Sequence, residues 1–327
     1  MNLKMLANAA QTSVATVSKA FSGSREISSE TRERIFRLAR EAGCFEKYYK
    51  GQAERPLIAL LFPELESEYY CRQVAAIERE IHAAGGIAVC AVTSFDEKKT
   101  AELFSEMVYR MHVDGVILIG SGRGVKNADG VPLILLGSNA NLYPEARALG
   151  IGVKYSEAIS DAVDYLKEKG HRSVGFIGEP LTEGKCDYFR RAMRRAGLAV
   201  RDEHIVSDAS RFEVGGYEAM RRILEAGKPP SAFIAAYDSM AIGAIRALRD
   251  AGYRVPEDVS IIGMDDLSAM QYLETPLTTL RFCYEEIARD IARLILDLAR
   301  NGGKRPKELP SVNAKLCVRS SVAPCRY

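Results

Sequence analysis

No stretch of this chain approaches the roughly 20 consecutive apolar residues that a membrane-spanning helix requires. The opening MNLKMLANAA is too short and too polar for the core of a signal peptide. Neither export nor membrane insertion is expected, and the expected compartment is the cytoplasm. The seven cysteines are odd in number, scattered and never in a Cys-x-x-Cys pair. That usage suits reduced thiols and speaks against a disulfide framework or a zinc site. The four histidines (His82, His112, His171, His204) stand apart, with no His-Glu-x-x-His and no zinc-ligand spacing. Two glycine-bearing runs imitate nucleotide loops without completing one. In GSGRG (120–124) the third glycine of a dinucleotide fingerprint falls on Val125. GEPLTEGKC (178–186) has one residue too many between its glycines, contains Pro180, and ends in Cys186 where a phosphate loop needs Ser or Thr. No catalytic residue, cofactor or metal is therefore expected, although an α/β fold by itself does not exclude an enzyme.

What is present is enough apolar material for two or three folding units: 327 residues, 47% apolar and 27% charged. Charge is uneven. Residues 1–55 carry ten Lys or Arg against six Glu, a net +4, so the remainder carries −2 of the overall +2. A basic head on a nearly neutral body suits attraction to phosphates, and a solvated charged helix gives the same count.

The first 43 residues read as three short helices. Leu3, Leu6, Ala7 and Ala10 recur at helical spacing, and a second run begins with Val14, Val17 and Phe21 behind Ser13 as N-cap. A third starts after Ser28 or Ser29, carries Ile35, Leu38 and Ala42 on one face and stops at Gly43. Two helices separated by a turn of three or four residues are the geometry that lays the second helix into a DNA major groove. On such a helix Val14 and Ala15 can meet a thymine methyl, and Lys19 can reach guanine O6 or N7. Ser13, Thr16, Ser18 and Ser22, with backbone N–H groups, would hold phosphates and fix the register. A generic helical hairpin is the alternative.

The strings ATVSKAFSG and ISSETRERI settle the comparison. Residues 3–43 resemble the headpiece of the lactose-repressor and galactose-repressor (LacI/GalR) family. Two departures stand out. Gln11 replaces the Gly usual in the turn, and the stretch matching the family's leucine-bearing hinge helix reads FEKYYKGQAERP (45–56), with Gly51 and Pro56 and no leucine. It reads as a plain linker, with Tyr48 or Tyr49 as the alternative minor-groove wedge.

From residue 57 the chain alternates apolar runs with amphipathic stretches: LIALLF (57–62), a helix near 71–84, IAVCAV (87–92), a helix near 97–110, and VDGVILIG (113–120). The rhythm restarts with a helix over 155–169, SVGFIG (173–178), a helix near 187–196, SAFIAAYD (231–238), a helix to 251 and VSIIGMDD (259–266). Two such series imply two doubly wound parallel sheets with a cleft between them. EKGHRSVGFIGEP, AAYDSMAIGAIRALRDAG, VPEDVSIIGMDD and PLTTL also resemble the effector-binding body of the LacI/GalR family, which has the type I periplasmic-binding-protein fold.

The expected fold is thus an all-α helix-turn-helix headpiece plus an α/β effector domain of two doubly wound lobes. The expected organisation is a headpiece over 1–47, a linker over 48–56 and an effector domain over 57–327. Within it, one lobe takes about 57–151 plus 284–311 and the other about 152–283 plus 312–327. The resemblance implies a homodimer on a near-palindromic operator and a small polar effector: a sugar, a sugar derivative, a phosphorylated sugar or another metabolite. It places Asp265 as acceptor for ligand hydroxyls and Lys185 where an Arg usually makes contact. Tyr237 stands where an Asn usually precedes Asp. Tyr69 and Tyr70 after the first strand, Ser121 in GSGRG, and Phe282 on a strand crossing between lobes complete the expected set. Two rival readings are a ligand-binding module with an idle headpiece and an α/β enzyme.

Overall fold

The computed structural model describes residues 2–22, 24, 26–48, 55–301, 306 and 308–325. Among them the amino-terminal unit is α1 (Leu3–Ala9), α2 (Val14–Phe21), α3 (Ser29–Glu41) and the single turn α4 (Phe45–Tyr48). The first three helices begin on a side-chain cap, which satisfies N–H groups that a helix start leaves orphaned. Asn2 accepts from the Met5 N–H at 2.9 Å, Ser13 from Thr16 at 3.0 Å and Ser28 from Thr31 at 3.2 Å. A small core gathers Leu6, Ala10, Val17, Ala20, Phe21 and Ile35. Phe21 stacks near Phe36 at 5.2 Å, and Phe36 meets Phe45 edge-on at 5.1 Å.

The turn between α1 and α2 places Gln11 at φ 50°, in the left-handed region where a Cβ is strained. Gln11→Gly is therefore expected to stabilise the headpiece by about 1 kcal/mol in urea unfolding. No gain would show that the turn tolerates a side chain without strain. Of the expected linker, residues 49–54 lie outside the described residues; 45–48 form α4.

The first sheet is built from β1 (Leu57–Phe62), α5 (Glu68–Ala83), β2 (Ile87–Val92), α6 (Glu97–Ser105), β3 (Gly115–Ile119), β4 (Leu133–Leu136) and β5 (Leu149–Ile151). Its strand order is β2-β1-β3-β4-β5, parallel throughout. A π-helical turn, Glu106–Arg110, extends α6. The second sheet series follows: α7 (Tyr155–Glu168), β6 (Val174–Ile177), α8 (Glu183–Arg195), β7 (Ile205–Val206), α9 (Phe212–Ala226), β8 (Ala232–Ala235), α10 (Asp238–Asp250), β9 (Ser260–Met264) and β10 (Thr278–Phe282). Then α11 (Tyr284–Asn301) returns to pack on α5 and β3, and β11 (Ala314–Cys317) rejoins the second sheet antiparallel to β10. The order there is β11-β10-β9-β8-β6-β7. Central strands such as β1, β3, β4 and β9 are buried almost along their whole length, as parallel sheets covered on both faces require.

The chain crosses between the sheets three times, after β5, after β10 and after α11, and the crossings are hydrogen-bonded to one another. Lys154 N–H donates to Val312 O at 3.0 Å, Val312 N–H to Gly152 O at 2.9 Å and Cys283 N–H to Asn313 O at 2.9 Å. This three-stranded joint is narrow, so it sets the two sheets facing each other across a cleft without filling it.

Several boundaries differ from the sequence reading. Helix α5 starts at Glu68, three residues before Cys71, which puts Tyr69 and Tyr70 on its first turn. Helix α8 starts at Glu183 after a 3-10 turn at Pro180–Thr182, so Lys185 is helical and not in a loop. Pro180 opens that turn instead of breaking a helix, because its fixed φ suits a first helical position. The sequence reading names no strand at β4, β5, β7 or β11 and no helix at α9 or α11.

Candidate functional site

Helix α2 divides into two faces. Val17, Ala20 and Phe21 point into the small core, while Ser13, Val14, Ala15, Ser18, Lys19 and Ser22 are exposed and Thr16 is half-buried. Val14 is 43% exposed, so it faces outward despite its place in the apolar run and can meet an external surface. The Ser13 and Thr16 hydroxyls lie 2.8 Å apart, and Ser22 Oγ donates to Lys19 O at 3.2 Å. The Lys19 ammonium is paired with Glu26 and holds that carboxyl below its usual range. An exposed pair of this kind is weak, because solvent screens it. Lys19 can therefore leave Glu26 for a better acceptor at small cost.

A cavity of about 720 Å³ opens between the carboxyl ends of the two sheets, the position where open α/β sheets bind ligands. Glu64 follows β1, Ser121 follows β3, Glu179 follows β6, Tyr237 follows β8 and Asp265 follows β9; all line it. At the joint, the hydroxyls of Tyr69 and Tyr155 meet at 2.6 Å and Tyr69 also bonds Tyr284. Burial pushes the Tyr69 and Tyr284 phenols well above their ordinary range, so they act as neutral donors and acceptors.

Asp265 holds a strained backbone in the cavity wall. It has φ 102°, and its Oδ1 is sealed from solvent with no hydrogen-bond partner among the described residues. Burial raises its carboxyl to about 6, against the opposing pull of Lys185 and Arg72. The turn is pinned from behind. Asp266, also at positive φ, receives Arg319 Nη2 at 2.6 Å, while buried Asp238 accepts from Thr279 Oγ1 at 2.5 Å and the Leu267 N–H at 2.8 Å. An over-determined backbone holding an unsatisfied acceptor is the arrangement of a preorganised binding group.

Lys185 Nζ donates to Ala236 O at 2.7 Å and lies 5.2 Å from the centre of the Tyr155 ring. Tyr237 accepts the Phe212 N–H at 3.0 Å, and burial lifts its phenol to about 12. Arg211 is clasped by both oxygens of Glu64, at 2.6 and 2.7 Å, with Glu179 at 3.8 Å and the Phe212 ring 4.5 Å away. Two more contacts span the cleft: Glu68 accepts from the Ser268 N–H at 3.0 Å, and Arg72 donates to Asp266 O at 2.8 Å. Residues 64, 68 and 72 thus form a row that reaches from the first sheet's side to the second.

Of the residues expected from sequence, Tyr69, Tyr70, Ser121, Lys185, Tyr237 and Asp265 come together in this cavity. Phe282 does not line it. Its ring packs 4.7 Å from that of Tyr155 and backs that lining tyrosine. Sequence reasoning missed Glu64, Phe95, Tyr155, Glu179, Tyr188 and Arg211. The partners Glu64 and Arg211 are 147 positions apart, beyond any spacing rule. Elsewhere, His171 spends both ring nitrogens on structure, bonding Ser231 Oγ at 2.9 Å and Ala323 O at 3.0 Å.

Comparison with known proteins gives consistent findings. A family model described as a periplasmic binding protein-like domain matches residues 163–322. The HTH-type transcriptional repressor CytR of Escherichia coli (strain K12) is 29% identical, over 90% of this chain and 89% of the relative. The HTH-type transcriptional repressor MelR of Bacillus subtilis (strain 168) is 30% identical, over 98% and 97%. Among solved structures, the complex of the transcriptional regulator CelR with cellobiose is 27% identical with a TM-score of 0.71, covering 98% of this chain and 99% of that one.

Proposed function

This chain belongs to the LacI/GalR family of transcriptional regulators, and from that premise we propose that it is a repressor whose hold on DNA is set by a small polar, sugar-like effector. Its unit of action is a homodimer, which places two copies of α2 in successive major grooves of a near-palindromic operator. We divide it into a headpiece over 1–47, a linker over 48–56 and an effector domain over 57–327. One lobe is about 57–151 plus 284–311, the other about 152–283 plus 312–327. The single observation that carries the reading is the pairing, in one chain, of a capped helix with an outward polar stripe and a cleft whose wall holds an unpartnered acceptor, Asp265. Ligand hydroxyls bond Asp265, the tyrosines cover the ring faces, and the row Glu64, Glu68 and Arg72 closes the lobes over them. Nothing in this scheme requires a catalytic residue, cofactor or metal, and its setting is the cytoplasm. No helix among the described residues is long and apolar enough to cross a membrane.

The test is selection of duplexes from random DNA by the full chain, followed by mobility shifts with Lys19→Ala. Removal of a guanine contact is expected to weaken binding to the selected duplex by about tenfold or more and to relax the preference at one base pair. Unchanged binding by the variant would remove α2 as the reading element.

Effector binding should depend on acidity. Ligand hydroxyls donate to the Asp265 carboxylate, so affinity is expected to fall as pH drops through 6, about tenfold between pH 7 and pH 5 by calorimetry. The unliganded protein moves the other way. Because the folded-state carboxyl titrates about 6 instead of the ordinary 3.8, the folded chain keeps a proton that the unfolded chain has released. This residue's share of stability therefore shrinks as pH rises from about 4 to about 6. Tighter binding at pH 5 would contradict the acceptor role.

A further inference from the structure

Beside the main cavity lies a second hollow of about 510 Å³, and the two share Gly137, Ser138, Tyr155 and Tyr188. Either volume falls within the roughly 300–1,000 Å³ that holds a small ligand. Their linings differ in character. The main cavity carries six carboxylates, Glu64, Glu66, Glu68, Glu179, Glu213 and Asp265, against two cations, Lys185 and Arg211. Both cations are engaged: Lys185 with the Ala236 carbonyl, Arg211 with Glu64. An anionic ligand would meet a carboxylate majority, a cost of the kind that excludes wrong partners. The second hollow has no charged residue among its described lining. It offers Ser138, Asn139 and Asn141 together with the outer side of β5, the last strand of its sheet, whose backbone groups face no further strand there. Tyr155 and Tyr188 stand at the junction, presenting aromatic surface to both spaces.

We propose that the two hollows are consecutive subsites for an uncharged disaccharide. One ring sits among the cavity tyrosines with its hydroxyls on Asp265, and the next lies against Ser138, Asn139 and Asn141. The inference rests on the effector reading of the cleft and narrows it: phosphorylated sugars are disfavoured by the carboxylate majority, and single rings leave the second subsite empty.

Gly152 provides a clean probe of the annexe. It lines the second hollow, its backbone is outside the left-handed region, and a Cβ there meets nothing within 4 Å. The experiment is calorimetry on the full chain with maltose, cellobiose and lactose, with glucose and ribose, with glucose 6-phosphate, and with adenosine. At least one disaccharide is expected to bind about 30-fold more tightly than glucose, and glucose 6-phosphate no more tightly than glucose. Gly152→Phe is expected to weaken the disaccharide at least about tenfold while glucose affinity stays within about twofold. Preference for the phosphate, for a single ring or for adenosine would overturn the inference and leave the receptor reading intact. So would disaccharide binding that Gly152→Phe does not alter. Heats from none of the panel would overturn both.

Discussion

Asp265→Ala is expected to weaken effector binding by about 100-fold while operator affinity of the unliganded protein stays within about twofold. The size follows from the chemistry of the group. Hydrogen bonds to a charged acceptor contribute about 1.5–3 kcal/mol each, so two ligand hydroxyls on this carboxylate bring about 3 kcal/mol or more. Its Oδ1 is already desolvated and unpartnered before the ligand arrives, so binding recovers an interaction without a fresh desolvation cost. The companion variant Asp265→Asn separates binding from folding. Asn keeps the shape and tolerates the positive φ of this position, and it removes a charge that burial disfavours. The unliganded Asn variant is expected to melt higher than the natural chain at pH 7 while binding effector more weakly. A variant that melts lower would show that the carboxylate stabilises the fold and is not held in readiness for a ligand.

Phe21→Ala is expected to abolish operator binding, a loss of more than about 100-fold, and to leave effector affinity unchanged. Removing a buried Phe costs about 3–5 kcal/mol, and the headpiece has few residues with which to absorb it. Its core is a handful of side chains in which Phe21 meets two other elements at once, through Phe36 of α3 and Phe45 and Tyr48 of α4. Loss of α2's inward anchor releases the outward stripe from a fixed register. The effector domain has its own, much larger core around Phe176, Phe189 and Phe233 and does not draw on these residues. Mobility shifts and calorimetry on the same preparation check both halves. A parallel loss of effector binding would mean that the two units do not fold independently.

Local signals made much of the fold legible. Ser13 and the spacing of Val17 and Phe21 defined α2, and the apolar runs at β1, β2, β3, β6, β8 and β9 announced parallel strands. Helix α9 escaped because FEVGG looks like a breaker. Gly216 is there for a different reason: a Cβ on it would come within 2.0 Å of Met240 O on α10, and one on Gly243 within 1.9 Å of Glu213 O. Close approach of two helix backbones requires the glycines, and it overrides their poor helical propensity. Strand β5 has three residues, too few for any periodicity to register.

The cavity was half legible. Residues that end a strand, such as Asp265, Tyr237 and Ser121, follow from the rule that ligands meet the carboxyl ends of parallel strands. The residues that face them from the other sheet do not, because Glu64 and Arg211, or Tyr69 and Tyr155, become neighbours only through the three crossings of the joint. Phe282 was assigned to the ligand because its strand leads into that joint. In fact its ring supports Tyr155 from behind, and the tyrosine presents the surface.

The measurement that bears most directly on the account is operator affinity of the full chain, on a duplex selected from random sequence, with and without a bound disaccharide at about 0.15 M salt. The account predicts a marked preference for that duplex over scrambled DNA and a change in affinity when the cleft is filled, with the change absent in Asp265→Ala. Equal binding to both duplexes, or an affinity that ligand saturation leaves untouched, would contradict it.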